Sequence, residues 1–218
     1  MTNYGFRDSF QKFFDIISFT STQPLDWSVQ YQGKRYRFSS IGVSKLELGN
    51  SFYRDDKCLA CGKCCSSLGF FLFLTESDFN VNPRKEKFRE VKVGGLSIFT
   101  LQFTVEVKCP FFMNSLCAIQ NNKPIHCQFP HIKVRQVGNK GLLYKAPYSR
   151  RWAKPEESRC PIDSFEEYTE GGRQSDIKVL NHLVRVQEDL SIDSSLARGV
   201  VNKLERKEVC RLAQLTLL

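Results

Sequence analysis

Apolar residues recur along this chain with several distinct periods, and each period predicts an element. Phe6, Phe10, Phe13, Phe14 and Ile17 fall at intervals of three and four, the spacing of an amphipathic helix. The opposite face carries Arg7, Asp8, Lys12 and Asp15, a balance of charge that suits packing on a protein body better than lying on a membrane. Residues 27–31 and 35–39 flank a Gln-Gly-Lys turn and predict a β-hairpin. The apolar run 70–74 reads as a short buried strand. Thr75-Glu76-Ser77-Asp78 follows as a helix-capping pattern, with Thr75 as the cap. Residues 96–107 alternate apolar with polar after a Gly94-Gly95 turn and predict a strand or two. A second hairpin is expected from 132–137 and 142–148, turning at Gly138-Asn139-Lys140-Gly141. Towards the C-terminus, Ile177, Leu180, Leu183 and Val184 share a helical face. Leu196, Val200 and Leu204 begin another helix after Ser191-Ile192-Asp193-Ser194.

These elements predict an α+β fold: a small cysteine-rich core with short hairpins, an N-terminal amphipathic helix and C-terminal helices. The expected divisions are an N-terminal helix and hairpin over 1–50, a cysteine-cluster domain over 51–165 and a helical extension over 166–218. The boundaries are soft, and the three are compatible with one unit. A chain of 218 residues can bury an ordinary core, and its 41% hydrophobic content with 18 phenylalanines marks it as folded. No run of about 18 uncharged apolar residues predicts a transmembrane helix. Residues 1–30 lack the pattern of a signal peptide, so the expected location is the cytoplasm. In that reducing compartment nine cysteines point to metal rather than to disulfides, and the odd count agrees.

The cysteines are not scattered. Cys58, Cys61, Cys64 and Cys65 lie within eight residues, Cys58-Leu59-Ala60-Cys61-Gly62-Lys63-Cys64-Cys65. A buried cysteine is merely a small hydrophobe and needs no neighbours of its kind, whereas a C-x2-C turn aims two sulfurs at one centre. Cys109, Cys117, Cys127 and Cys160 bring the candidate ligands to eight. Cys210 sits in a helical pattern and reads as packing. The triplet Cys58-x2-Cys61-x2-Cys64 matches three ligands of a bacterial ferredoxin run, with a fourth to come from Cys109, Cys127 or Cys160. Zinc would divide the same thiols differently, as tetrahedral sets of four. The triplet favours iron, as an iron–sulfur cluster, over zinc. His126 and His131 are secondary candidates for replacing a sulfur, and Asp55 and Asp56 read as solvated loop acids.

The formal net charge is +9, before any thiolate is counted. Four thiolates around a centre of charge about +2 leave roughly −2 per site, so metal binding reduces the excess without reversing it. The excess is local: residues 131–160 hold eight Lys or Arg against Glu156 and Glu157. Such a segment can meet nucleic acid or an acidic partner, but no nucleic-acid-binding motif accompanies it, which favours a solvated basic hairpin.

The cysteine run resembles the CxxCxxCC proteins, the YkgJ-like cysteine-cluster family named for zinc or iron chelation. Cys109-Pro110-Phe111-Phe112 resembles that family's CPF segment. Residues 117–130, from Cys117-Ala118-Ile119 through Lys123-Pro124 to Cys127 and Phe129-Pro130, resemble its C-x-I-Y-x-x-R-P-x-x-C-x-x-[FY]-P block. Gln120 stands for the usual Tyr, Lys123 for the usual Arg, and Phe129-Pro130 comes one residue early. Lys holds the charge of Arg but not its planar fork. The resemblance covers 58–130 and implies a metal-binding fold rather than a particular reaction.

Three functions follow as expectations. The first is a cytoplasmic protein with a cysteine-ligated iron or zinc centre for redox, sensing or metal handling. The second is a structural-zinc module whose basic segment, 133–159, binds a protein or nucleic-acid partner. The third, implied by the resemblance, is a protein-modifying enzyme related to flagellin lysine N-methylase, which carries a similar cluster. No catalytic residue is assigned: Val93-Gly94-Gly95-Leu96 lacks the spacing of a nucleotide-binding fingerprint, and neither a phosphate-binding loop nor a G-x-S-x-G elbow occurs.

Overall fold

The computed structural model describes residues 5–49, 71–80, 85–104, 107, 109–114, 116–119, 123–128, 132–145 and 170–215. Phenylalanine spacing at the N-terminus produces helix α1, Phe6–Ser18, with Phe6, Phe10, Phe13, Phe14 and Ile17 all buried. Strands β1 (Leu25–Tyr31) and β2 (Lys34–Ser40) form the expected hairpin. Its turn is Gln32-Gly33 alone, with φ of 48° and 75°, the twist that a tight antiparallel turn requires. Lys34 therefore belongs to β2, where it pairs with Tyr31.

The remaining elements are β3 (Lys45–Leu48), β4 (Phe71–Leu74), α2 (Glu76–Asn80), a 3₁₀ turn (Lys85–Lys87), β5 (Arg89–Val93) and β6 (Leu96–Gln102). Then come β7 (Phe112–Met113), β8 (Leu116–Cys117), α3 (Ile125–Gln128), β9 (Ile132–Val137), β10 (Lys140–Lys145), α4 (Glu170–Asp189) and α5 (Ser195–Leu215). The chain is thus α+β. The second hairpin turns through Gly138-Asn139, so Lys140 and Gly141 are strand residues; residues 146–148 lie outside the described part. Strands β3 and β5 escape the periodicity argument. β3 has four residues and its partner β10 lies far along the chain, in parallel pairing. β5 alternates correctly but offers only Val91 and Val93 as apolar signals.

Among the described residues, β2-β1-β5-β6-β4 form an antiparallel sheet, β3-β10-β9 a three-stranded sheet and β7-β8 a small hairpin. The period-two geometry of β4 explains how the larger sheet is covered on both faces. Phe71 and Phe73 point into the core shared with α1, Val29, Phe38, Val91 and Ile98. Leu72 and Leu74 join Phe88, Leu101, Phe103, Cys109 and Phe111 in a second core. Rings bind α1 to the sheet: Phe6 stacks on Tyr31 at 4.1 Å between centroids, and Phe10 meets Phe73 edge-on at 5.1 Å.

Helices α4 and α5 are the two expected at the C-terminus, and they pack as a hairpin. Ser191, at φ 54°, ends α4, while the Ile192 N–H donates to the Gln187 carbonyl at 2.8 Å, a left-handed cap. Leu180, Leu183, Val184, Val186, Ala197, Val201 and Leu204 bury their side chains in the same core as α1. Gln187, fully buried, donates to the Ile17 carbonyl at 2.7 Å and to Thr20 Oγ1. Gly42 permits the close crossing of the segment after α1, since a Cβ there would sit 2.2 Å from the Thr22 carbonyl oxygen. Cys210 falls in α5.

Candidate metal centre

Of the eight candidate ligands, Cys58, Cys61, Cys64, Cys65 and Cys160 lie outside the described residues, as do Asp55, Asp56 and His131. Cys109, Cys117 and Cys127 are described, and the fold brings all three to the second core, the side of the sheet away from α1. None of the three is in a disulfide. The route to this convergence is local. Thr104 and Val107 close a turn, with the Thr104 N–H donating to the Val107 carbonyl at 2.9 Å and the Val107 N–H to Thr104 Oγ1 at 3.0 Å. The chain then folds back at Cys109, whose carbonyl accepts the Phe112 N–H at 3.1 Å. The β7-β8 hairpin sets Cys117 opposite Phe112, and the Ala118 N–H reaches the Phe111 carbonyl at 2.7 Å. Cys109 is buried and Cys117 half-buried on an apolar bed. Such a bed limits solvent access to any bound ion, and thiolates are the donors that zinc and iron–sulfur clusters accept. Among the described residues, no three His, Cys, Asp or Glu side chains are grouped to hold a metal ion. Cys109, Cys117 and Cys127 have the donor chemistry of such a centre, but by themselves they do not form a complete donor set.

Cys127 sits on α3, a single turn closed by the Cys127 and Gln128 N–H groups donating to the Pro124 carbonyl at 2.8 and 3.1 Å. Its neighbours face different ways. Ile125 is fully buried in the first core, while Cys127 packs on the second. His126 lies against Phe13 and Phe73, at 5.9 and 5.5 Å between ring centroids. Its Nδ1 accepts the Phe73 N–H at 3.3 Å and so satisfies an outward-facing donor of β4, an edge strand of the sheet among the described residues. Burial pushes its pKa down to about 3, with the positive charge of Lys12 acting in the same direction. His126 is thus a neutral core histidine, and the ring nitrogen that would be needed for ligation through Nδ1 is occupied.

A different histidine completes the setting. His182, on α4, lies with its Nε2 3.0 Å from Asp78 Oδ1 and its Nδ1 2.7 Å from Gln128 Nε2. Gln128 Nε2 also donates to the Lys123 carbonyl. Asp78 is itself held in the cap of α2: its Oδ2 accepts from Thr75 Oγ1 at 3.2 Å and from the Thr75 N–H at 3.4 Å. Thr75 Oγ1 returns the bond by accepting the Asp78 N–H at 3.5 Å, so the predicted capping pattern forms in both directions. Sequence reasoning missed His182 because its partners lie 54 and 104 residues away and nothing in the helical pattern marks it.

The described part of the basic segment is less exposed as charge than its composition suggests. Burial, together with Lys12, holds Lys133 below the usual lysine range. Lys140 lies 3.4 Å from Glu47, which Lys45 also meets at 2.8 Å. Arg135 is exposed.

Comparison with known proteins agrees with the resemblance seen in the cysteine run. Residues 57–150 match the model of the CxxCxxCC family, described as "Putative zinc- or iron-chelating domain". That stretch contains seven of the eight candidate thiols, all but Cys160. The family's description names the same metals as the thiol spacing, iron or zinc, and supports metal binding in general. No curated protein and no solved structure matches the chain. No helix among the described residues is long and apolar enough to cross a membrane.

Proposed function

We propose that this chain carries a cysteine-ligated iron or zinc centre that serves redox, sensing or metal handling, in the reducing cytoplasm. Its ligands are drawn from Cys58, Cys61, Cys64, Cys65, Cys109, Cys117, Cys127 and Cys160, within a metal-binding unit of about residues 51–165. The observation that carries the reading is that Cys109, Cys117 and Cys127 all lie in or against one apolar cluster, inside the segment that matches a chelating family. The ferredoxin-like spacing of Cys58, Cys61 and Cys64 favours an iron–sulfur cluster, which would supply one-electron chemistry. Zinc in the same thiols would supply a fixed structural charge.

Anaerobic purification of the full chain, followed by an absorbance spectrum and metal and sulfide analysis, tests this. The expected result is a brown protein with broad visible absorbance and iron matched by sulfide. A colourless protein with stoichiometric zinc would replace the iron form by the zinc form. A chain that retains neither metal would overturn the proposal.

A further inference from the structure

The segment bearing Cys127 and the helix α4 meet at a chain of hydrogen bonds that the thiol pattern does not explain. α3 is four residues long, too short to persist by its own backbone bonds. What its side chains touch must therefore set its orientation. Ile125 and His126 anchor its first half in the aromatic core. Its last residue, Gln128, follows Cys127 directly and is bonded to the Lys123 carbonyl and to His182.

The directions of these bonds can be assigned. A carbonyl accepts only from a donor, so Lys123 fixes the Gln128 amide with its NH₂ group inward. The same NH₂ faces His182 Nδ1, which must accept. Nε2 then carries the imidazole proton and donates to Asp78. Both ring nitrogens are engaged in a nearly dry setting, with the His182 and Asp78 side chains 13% and 5% exposed. The ring is also mounted on a stiff element, because Leu180, Leu183 and Val184 bury α4 around it.

We infer that His182 is a positioning residue for the metal centre: it holds α3 through Gln128 and so fixes where the Cys127 thiol points. The inference rests on the cysteine-ligated reading above. It assigns a role in the centre to a residue of α4, outside the segment that matches the chelating family.

The test is the rate at which the zinc-loaded full chain gives up its metal to excess chromogenic chelator. His182→Ala should release zinc about tenfold faster than wild type, the scale found when groups that orient metal ligands are removed. His182→Gln should do the same, since its amide reaches towards Asp78 but not Gln128. His182→Asn, whose carbonyl can stand where Nδ1 accepts, should stay close to the wild-type rate. Gln187→Ala is the structural control: it loosens the same helix by losing bonds to Ile17 and Thr20 without touching Gln128. Its release should remain within about twofold of wild type, and adding Gln128→Ala to His182→Ala should accelerate release no further. If His182→Ala matches wild type, or merely matches Gln187→Ala, the positioning role is overturned while the metal reading stands. If the wild-type chain takes up no zinc and, purified anaerobically, holds no iron either, both fall together.

Discussion

Asp15 shows how a single side chain reports its surroundings. It lies on α1, half-buried, and burial raises its pKa above the ordinary 3.8 although the Gln11 amide donates to it at 2.8 Å. The folded state thus keeps this proton to a higher pH than the unfolded chain does, and stability falls as pH rises between the two values. Above the folded value the penalty is complete and constant. Asp15→Asn keeps an acceptor for Gln11 and removes the charge, so thermal unfolding at pH 7 should occur at a higher temperature than in wild type. The gain should fade as pH falls through 3.8 and be gone about one unit lower, where Asp15 is protonated in both states. An equal gain at both pH values would contradict this account. Residues that act by periodic burial were legible in the sequence: Phe6, Phe10, Phe13, Phe14 and Ile17 declare their face by spacing alone. Residues that act by long-range polar pairing were not. His126 looked like a possible ligand because it adjoins Cys127, yet its environment is set by Phe13 and Phe73. His182 offered no signal at all, since only the fold delivers Asp78 and Gln128 to it.

At the scale of elements, local chemistry carried the expectations furthest. Thr75 and Asp78 cap α2 reciprocally, and Thr75 is fully buried, so its hydroxyl has no water to fall back on. Thr75→Ala should lower stability by about 1–2 kcal/mol in denaturant unfolding, and Thr75→Ser should recover most of that loss. A neutral Thr75→Ala would show that α2 holds its start without the cap. Two of the glycine-bearing turns announced themselves most plainly: Gln32-Gly33 and Gly94-Gly95 take positive φ at every central position, as tight hairpins demand. Short elements with distant partners did not. β3 pairs in parallel with β10 at a register running from Lys140↔Lys45 to Leu143↔Leu48, and no local pattern encodes a partner that far along the chain. α3 is similar: one turn of backbone gives it existence, and tertiary contacts give it direction.

Across the whole molecule, the larger sheet separates two tasks. One face, with α1, α4 and α5, holds the main aromatic and aliphatic core. The other carries the smaller core on which Cys109, Cys117 and Cys127 gather. β4 serves both, Phe71 and Phe73 on one side and Leu72 and Leu74 on the other, and α3 repeats the division at the sheet edge. The α+β class and the element order up to α1, the two hairpins and the helical pair could be read from periodicity. The metal-binding character could be read from thiol spacing, because few other demands place cysteines two residues apart repeatedly. Which of those thiols would share a centre could not, because spacing alone does not say which sulfurs meet in space. The central claim is that sulfur ligates the metal. X-ray absorption spectroscopy at the edge of whichever metal the anaerobically purified full chain retains addresses it most directly. The account predicts a nearest shell of sulfur atoms at about 2.3 Å from the metal. A shell made of nitrogen or oxygen alone, at about 2.0–2.2 Å, would contradict it.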